Sequence, residues 1–498
     1  MSEVSGRART YGNWRRPQSA GLGRLGLIGT TVLMGGVIVM ILTEAVLGLL
    51  PALVLMGLLV VFLVTLMVRD RHGKTGLQRI AVRAGWWRTR ASGAHLYRSG
   101  PLGYAPWGTF QLPGLAAPSC LSEARDSYDR PFALLHVPAT GHYTVVFAAH
   151  PDGASLVDQE QVDSWVAGWG EWLASLGEEP GVVAASVTIE TAPDTGARLR
   201  SEVGAQIDPN APAVARAVLG EVVQSYPVGS ASISAWVALT FTATVRGAAR
   251  KPREMARELG AQLPGLTSRL QSSGAGAVRP ISAQRLCEVV RTAYEPAAAR
   301  LIDETYAAGR VPRLEWSDAG PSAAEASWQR YRHDGALSVS WAMSGAPRGE
   351  VQSSVLLKLL APHRGIARKR VTLLYRIMDS GVAAALVEAD VRNADFRVAS
   401  AQRPTARMLR EQRAAHATAE EEARGAGLVD FGMVVTATVL EEDALPDAEA
   451  AIDNLAATAR ITLRRAYGSQ DSAFAAGLPL GLVLPAHLKV PEQVRAAL

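Results

Sequence analysis

Residues 25–68 read LGLIGTTVLMGGVIVMILTEAVLGLLPALVLMGLLVVFLVTLMV. The stretch contains one acidic residue, Glu44, and no basic residue. A helix needs about 20 apolar residues to cross the hydrocarbon core of a bilayer, which is about 30 Å thick. The stretch is therefore long enough for two passes, and it predicts a transmembrane hairpin that is broken at residues 43–45.

Basic residues flank this stretch on both sides and are absent from its middle. They are Arg7, Arg9, Arg15, Arg16 and Arg24 before it, and Arg69, Arg71, Lys74, Arg79, Arg83, Arg88 and Arg90 after it. By the positive-inside rule, both termini are expected in the cytoplasm, and the protein in the cell membrane with two spans. A buried soluble hairpin is disfavoured because no later segment is apolar enough to wrap it. A cleaved signal peptide would have a shorter apolar core, of about 7 to 15 residues.

Aromatic and basic side chains beside the hairpin are typical of the lipid headgroup layer. The residues expected there are Tyr11, Trp14, Arg15, Arg16, Arg69, Arg71 and Lys74. For the N-terminal residues, a docking site for a protein partner is the alternative. Gly73-Lys74-Thr75 resembles the end of a phosphate loop, but the first glycine of such a loop is replaced by Val68. A nucleotide site is therefore not expected.

Composition narrows the class of protein. The formal net charge is +5, and much of the basic excess lies near the predicted membrane segment. The lipid bilayer accounts for this excess, so no direct binding of nucleic acid is expected. The two cysteines, Cys120 and Cys287, match no metal-binding spacing and are expected to be reduced thiols.

The rest of the chain alternates strand and helix patterns. Between residues 132 and 270 the predicted order is strand, strand, helix, strand, helix, strand, helix, and the second half repeats this mixture of hairpins and crossovers. The pattern is typical of α+β sandwiches. The sequence thus predicts a transmembrane hairpin followed by two ferredoxin-like α/β sandwich domains in the cytoplasm. The expected segments are 1–24 (basic N-terminal segment), 25–68 (hairpin), 69–131 (basic helix and connector), 132–276 (first domain) and 277–498 (second domain).

Two groups of side chains are candidates for binding a partner. Trp165, Trp169 and Trp172 recur at helical spacing and are either core residues or a partner surface. The second group is the densest basic cluster away from the membrane, Arg364, Arg368, Lys369 and Arg370. It is either the solvated end of a strand or a surface for phosphate or an acidic partner.

Motifs that carry catalytic chemistry are missing from the sequence. The nine histidines show no metal-binding spacing, and neither His-Glu-x-x-His nor Gly-x-Ser-x-Gly occurs. We therefore expect no catalytic residue, no metal and no cofactor, and a protein that is not an enzyme. A membrane-tethered enzyme whose site is assembled from dispersed residues is the alternative.

Several segments resemble a family of actinobacterial integral membrane proteins that is encoded among type IV secretion and conjugation components. They are residues 10–14 (TYGNW), 19–23 (SAGLG), 69–79 (RDRHGKTGLQR), 157–165 (VDQEQVDSW) and 191–196 (TAPDTG), together with the double span. The resemblance extends over essentially the whole chain. It implies which genes lie nearby, and it does not imply a catalytic or binding mechanism.

The plan of the chain also resembles the small PrgI-type membrane subunit of conjugation machines joined to the non-catalytic N-terminal region of their assembly ATPase. In those ATPases a segment similar to residues 473–479 (AFAAGLP) precedes the motor domain. This chain stops at Leu498, so the resemblance implies a separate motor subunit. The expected function is a non-enzymatic structural and docking component of a type IV secretion translocon, oligomeric within a complex of translocon subunits. An EccE-type membrane subunit of type VII secretion is the alternative.

Overall fold

A computed structural model of the protein describes residues 9–12, 14, 26–68, 70, 72–100, 111–151, 153, 156–208, 210–225, 230–245, 248–347 and 349–488. The chain divides into two compact units. We call them the sheet unit (Met1–Gly12, Gly93–Ser380 and Ala426–His487) and the helical unit (Asn13–Ser92, Gly381–Gly425 and Leu488–Leu498). The predicted boundary near residue 277 does not separate these units.

The described residues contain fourteen α-helices. They are α1 (Gly26–Leu47), α2 (Leu49–Met67), α3 (Gly76–Ala91), α4 (Gln159–Leu176), α5 (Ala197–Gln206), α6 (Ala213–Ser225), α7 (Pro252–Leu270), α8 (Ala283–Tyr294), α9 (Ala298–Ala307), α10 (Leu357–Leu360), α11 (Ser380–Ala399), α12 (Ala406–Ala423), α13 (Leu445–Thr458) and α14 (Gln470–Ala476).

The same residues contain fifteen β-strands. They are β1 (Leu96–Arg98), β2 (Cys120–Arg125), β3 (Pro131–Val137), β4 (His142–His150), β5 (Val182–Pro193), β6 (Ala231–Thr242), β7 (Thr244–Val245), β8 (Ala248–Ala249), β9 (Ala277–Pro280), β10 (Ala323–Ala326), β11 (Tyr331–His333), β12 (Ala336–Gly345), β13 (Arg368–Ile377), β14 (Val429–Val439) and β15 (Thr462–Arg465).

Within the described residues, one helix is long and apolar enough to cross a membrane. Its apolar part is Gly29–Leu47, with a mean hydropathy of 2.0 and none of that window buried inside the protein. The apolar part of α2, Leu49–Thr65, is shorter. The chain turns between α1 and α2 at Gly48, whose φ of 85° suits glycine, and not at residues 43–45 as the sequence predicted. Glu44 lies inside α1.

One large antiparallel sheet organises the sheet unit. Its path is β1-β10-β11-β12-β14-β13-β5-β6-β4-β3-β2, and β15 and β9 pair with β12 and β4 beside this path. Each of these neighbouring pairs is antiparallel. The fold is thus a mixed α/β structure, as the sequence predicted.

Two halves of this sheet share the same connectivity. In the first half, the elements β4, α4, β5, β6, α7 and β9 give the spatial order β9-β4-β6-β5. In the second half, β12, α10, β13, β14, α13 and β15 give the matching order β15-β12-β14-β13. The halves join where β5 pairs with β13, from Lys369↔Thr191 to Arg376↔Ala184. Strand β9 begins at Ala277 and completes the first half, so the predicted boundary at residue 277 falls in front of it.

One face of the central strands is apolar and carries helices. We call it the helix face. In the first half, α4 and α7 cover it, and they pack on residues such as Val145, Phe147 and Leu239. In the second half, α10 and α13 do the same on Val339 and Val435. Because side chains alternate between the two faces of a strand, the residues between these point to the opposite face.

That opposite face is rich in hydroxyl and charged side chains, and we call it the polar face. Its buried members include Thr144, Thr188, Glu190, Thr240, Ser338, Ser340, Arg370, Thr372, Thr436 and Thr438. They are buried because residues 470–482, which we call the crossing segment, lie on this face. Thr372 and Thr240 donate hydrogen bonds to the carbonyls of Gly477 and Gly481, at 2.9 and 2.8 Å.

Sequence periodicity predicted most of the regular elements and misplaced some of their ends. The alternating and apolar runs predict strands at 132–137, 142–149, 368–378 and 429–440 and a helix at 158–176, and the structure has each of them within a few residues. The amphipathic pattern of residues 447–467 predicts one helix, and this prediction is wrong in its second part. Alpha-helix α13 stops at Thr458, Arg460 adopts a φ of 55°, and β15 follows. Pairing of β15 with β12 therefore prevails over local helical propensity.

Gly481 tests how closely the crossing segment approaches the sheet. Its φ is 61°, and an added Cβ would lie 2.3 Å from Thr240 Oγ1 and 2.6 Å from Thr144 Oγ1. We expect Gly481→Ala to destabilise the protein by about 3 kcal/mol or more, because backbone strain and a steric clash add. The measurement is the shift in the thermal unfolding midpoint of the full chain in detergent.

Gly309 provides the matched control for this substitution. Its φ is 69°, and an added Cβ would meet no described atom within 4 Å. Gly309→Ala therefore carries the backbone strain alone, about 1 kcal/mol. Equal losses in the two variants would show that the crossing segment does not pack as tightly as described.

Candidate functional site

The predicted basic cluster lies at the start of β13, and most of it is inside the protein. Arg364 is exposed in the preceding turn, whereas Arg368, Lys369 and Arg370 are 8%, 1% and 2% exposed. Alternation along the strand sends Arg368 and Arg370 to the polar face and Lys369 to the helix face. The four side chains therefore do not form one exposed basic surface, and only Arg364 is available to a partner in solution.

Glu190 on β5 neutralises part of this buried charge. It lies directly opposite Arg370 in the β5–β13 ladder. Its carboxylate accepts a hydrogen bond from Arg368 and lies 3.8 Å from Nε of Arg370. The Arg370 guanidinium also sits 4.4 Å from the centre of the Phe474 ring, a cation–π contact with the crossing segment. Burial lowers the pKa of Arg370 to about 10, so it stays protonated at neutral pH.

A cluster of rings surrounds the same phenylalanine. The ring centres of Tyr294, Tyr331 and His333 lie 5.0, 5.3 and 4.7 Å from that of Phe474. Each of these side chains is at most 2% exposed. Phe474 thus joins helix α8, strand β11 and the Glu190–Arg370 pair into one packed core.

His333 is the polar member of this ring cluster. Its Nδ1 bonds the Tyr294 carbonyl at 2.5 Å, so in the neutral ring Nδ1 carries the proton. Its Nε2, 2.7 Å from Ser338 Oγ, then accepts from that hydroxyl. Because the Ser338 hydroxyl already donates its proton to His333, Thr438 donates to Ser338 Oγ, 2.7 Å away. Burial lowers the pKa of His333 to about 3, with the charge of Arg370 acting in the same direction.

Paired threonines connect the sheet to the crossing segment in each half. Because Thr372 donates to Gly477, Thr188 donates to Thr372 across the β5–β13 ladder, at 3.1 Å. In the same way Thr144 donates to Thr240, at 3.2 Å, and Thr240 donates to Gly481. Gln470 adds two bonds to the backbone of Ser340. The hydroxyl groups are thereby satisfied without water.

This arrangement is closed rather than open to a substrate. Arg368, Glu190, Arg370 and His333 are each at most 8% exposed. Among the described residues, no group of three or more His, Cys, Asp or Glu side chains is placed to hold a metal ion. What the geometry supplies is a buried network that fixes the crossing segment across both halves of the sheet.

Two of the three tryptophans of α4, Trp169 and Trp172, pack toward the helix face. Trp172 is 2% exposed, and its ring centre lies 4.8 Å from that of Trp169, which in turn contacts Tyr375. Trp165 is half-buried and packs against Gly274. The interpretation of these residues as core is confirmed for Trp172. A partner surface stays a prediction for the remaining open parts of Trp165 and Trp169.

The predicted membrane-interface residues fall into three groups. Arg15, Arg16, Arg69 and Arg71 lie outside the described residues. Tyr11 forms a backbone bridge with Val351, and its hydroxyl donates to Asp163 at 3.1 Å, so the sheet unit holds it. Trp14 is 37% exposed, and Lys74 is half-buried in the turn before α3.

Helices α1, α2 and α3 are in close contact with their neighbours in sequence. Gly36 of α1 lies against Leu59 of α2, where an added Cβ would be 2.7 Å from the leucine side chain. At the other end, Gly76 donates to the Val68 carbonyl at 3.1 Å, and a reciprocal capping box between Thr75 and Gln78 starts α3. Helix α3 is therefore separate from α2, whereas the basic run after the apolar stretch predicts a helix that continues out of the membrane.

A comparison with known families matches part of this N-terminal region. Residues 18–78 match the model of a domain of unknown function (DUF8461). The matched range contains α1, α2 and the start of α3. A comparison with curated proteins gives no match.

Sequence reasoning missed Glu190, His333, Gln470 and Phe474 as parts of one network. A signal was present for Glu190, because an acidic residue in the otherwise apolar and β-branched run VVAASVTIE needs a partner when both faces of the sheet are covered. For the crossing segment, the signal was the run AFAAGLPLGLVLP, which is too apolar for a solvated tail.

The buried His333 predicts a loss of stability in acid. Its pKa is about 3 in the folded state and ordinarily about 6.5, so below pH 6.5 the unfolded chain binds the proton first. Stability from this group is complete above pH 6.5 and falls by about 1.4 kcal/mol per pH unit as the pH drops toward 3. We expect His333→Gln to flatten the pH dependence of unfolding between pH 6 and 4, measured by denaturant titration of the full chain.

His363, which is exposed in the turn before β13, is the control. His363→Gln is expected to leave the pH profile unchanged. If His333→Gln and His363→Gln show the same acid slope as the unaltered chain, the acid sensitivity arises elsewhere.

Proposed function

We propose that the chain is a membrane-anchored, non-enzymatic docking component of a type IV secretion, conjugation-like translocon, and that it recruits a separate motor ATPase. The observation that carries the membrane part is α1, whose apolar window Gly29–Leu47 has no buried share. A soluble helix of this length would bury its apolar surface against its own fold. The docking part rests on the resemblance of the sequence to conjugation components.

We infer that α2 forms a second span. Its apolar part, Leu49–Thr65, would extend about 26 Å as a helix at 1.5 Å per residue, against a core of about 30 Å. Leu50, Val54, Leu58 and Val61 are each more than 60% exposed, as lipid-facing side chains would be. Contact of Gly36 with Leu59 supports an antiparallel helix pair, with both termini in the cytoplasm.

We also infer that both halves of the sheet are ferredoxin-like. The order β9-β4-β6-β5 corresponds to strand positions 4-1-3-2 of a βαββαβ unit, and β15-β12-β14-β13 repeats it. Fusion of the two halves through their second strands, β5 and β13, gives one body, which we place in the cytoplasm. Such a body suits a structural and docking role, since its centre is occupied by its own crossing segment.

Cysteine labelling tests the two-span topology. Leu47 is 67% exposed beside the turn at Gly48, and Cys120 is exposed in the sheet unit. In a Cys120→Ser background, we expect Leu47→Cys to react with a membrane-impermeant maleimide in intact cells. The unaltered chain, labelled at Cys120, should react after permeabilisation alone.

The opposite pattern, with Cys120 labelled from outside, would contradict cytoplasmic termini. A protected Leu47→Cys together with a protected Cys120 would contradict exposure of the turn and hence the second span.

Co-purification tests the docking function. The tagged full chain is isolated in mild detergent from cells that express its whole gene cluster, and an unrelated tagged two-span protein is the control. We expect a motor ATPase and other translocon subunits to be enriched with the chain. Recovery with type VII secretion subunits would favour the EccE-type alternative, and recovery without any secretion subunit would overturn the proposal.

A further inference from the structure

Helix α3 presents an apolar face that its own unit leaves open. Leu77, Ile80, Ala84 and Trp87 recur at intervals of three, four and three residues, so they form one stripe along the helix, which we call the open face. Leu77, Ile80 and Trp87 are 37%, 57% and 74% exposed. Gln78, Val82, Trp86 and Thr89 lie on the other side and are half-buried. The helix therefore packs by its less apolar side.

Positive charge lies along the edge of the open face. Arg79, Arg83 and Arg90 recur at intervals of four and seven, which places them in a second stripe beside Ile80 and Trp87. All three are exposed, and the sequence of α3, GLQRIAVRAGWWRTRA, contains no acidic residue. An exposed apolar stripe bordered by arginines matches helices that lie in the plane of a membrane surface.

The start of α3 is fixed at the end of the apolar helices. Gly76 donates to the Val68 carbonyl, and an added Cβ at Gly76 would lie 2.8 Å from the Thr65 carbonyl oxygen. The first turn of α3 is thus in contact with the last turn of α2. If α2 crosses the bilayer, α3 begins at the depth of the cytoplasmic headgroups.

We propose that α3 lies in the cytoplasmic membrane surface and binds anionic phospholipids. Leu77, Ile80 and Trp87 enter the boundary between headgroups and acyl chains, and Arg79, Arg83 and Arg90 contact lipid phosphates. The inference rests on the proposed membrane anchoring. A lipid surface is the occupant because the open face continues from the apolar helices and its flanking charge is complementary to anionic headgroups.

The test uses the full chain in vesicles of phosphatidylcholine, with or without phosphatidylglycerol. In a Cys120→Ser background, Ile80→Cys carries an environment-sensitive fluorophore, and lipids with a nitroxide high on the acyl chain act as quenchers. Gly85→Cys is the matched control, since Gly85 is exposed on the same helix, lies off the open face and has room for a side chain. We expect quenching at position 80, stronger with phosphatidylglycerol, and little at position 85.

Changing Arg79, Arg83 and Arg90 together to glutamine separates the charge effect from anchoring. At about fivefold per arginine, the partitioning of α3 into anionic vesicles should fall about a hundredfold, while α1 keeps the chain in the membrane. Equal quenching of this variant and the unaltered helix would overturn the role of the arginines.

Flotation of the vesicles distinguishes failure of this inference from failure of the membrane anchor. If the chain floats with the vesicles but positions 80 and 85 are equally accessible to water, α3 does not bind lipid. If the chain does not float, anchoring itself is wrong. If position 80 is shielded from water only when the motor ATPase is present, the open face binds a protein partner and not lipid.

Discussion

The pairing of β5 with β13, and the charges buried in it, is the constraint on which the sheet unit depends. This one ladder joins two halves of equal connectivity. Glu190 from the first half faces Arg368 and Arg370 from the second, so the junction carries a buried ionic cluster. Burial of charges is costly unless they are paired, and removal of one partner leaves the other uncompensated. The junction therefore tolerates little change in register or composition.

The crossing segment supplies hydrogen-bond partners for polar side chains that are buried on the polar face. Side chains such as Thr188, Thr240 and Thr372 would be hydrated on an open sheet, but here they are buried. Thr372 and Thr240 donate hydrogen bonds to the carbonyls of Gly477 and Gly481, and Thr188 donates to Thr372. Phe474 covers the Arg370 guanidinium. Glycine is required at 481 because its φ is positive and a Cβ there would clash with the side chains of Thr240 and Thr144. The polar residues of the strands need the carbonyl groups of the segment as acceptors, and the small residues of the segment let its backbone come close enough to supply them.

The sequence predicted those features that local patterns encode. The apolar and β-branched runs of β3, β4, β13 and β14 and the spacing of apolar residues in α4 are local patterns, and these elements are where they were expected. The apolar composition of residues 25–68 likewise predicted α1. Such patterns depend on near neighbours in sequence, so the elements that they encode can be predicted without knowledge of the fold.

Features set by distant partners were not predictable in the same way. Arg368 and Arg370 are ordinarily surface residues, and their burial depends on Glu190, 178 residues before Arg368. Residues 462–465 form β15 because β12 offers an edge, and nothing in their own pattern required a strand. Similarly, Pro296 accounts for the break between α8 and α9, but the position of α8 in the fold depends on its packing against β3.

Long-range attachment of the crossing segment has a consequence for the order of events during synthesis. Gly481 bonds to Thr240 across 241 residues, so the segment can dock only after every strand it touches has left the ribosome. Alpha-helix α1 emerges more than four hundred residues earlier. Until the segment arrives, Thr240 and Thr372 lack their carbonyl acceptors, and water takes the place of those carbonyls. Docking of the segment exchanges that water for the carbonyls of Gly477 and Gly481, which makes it a late step of folding.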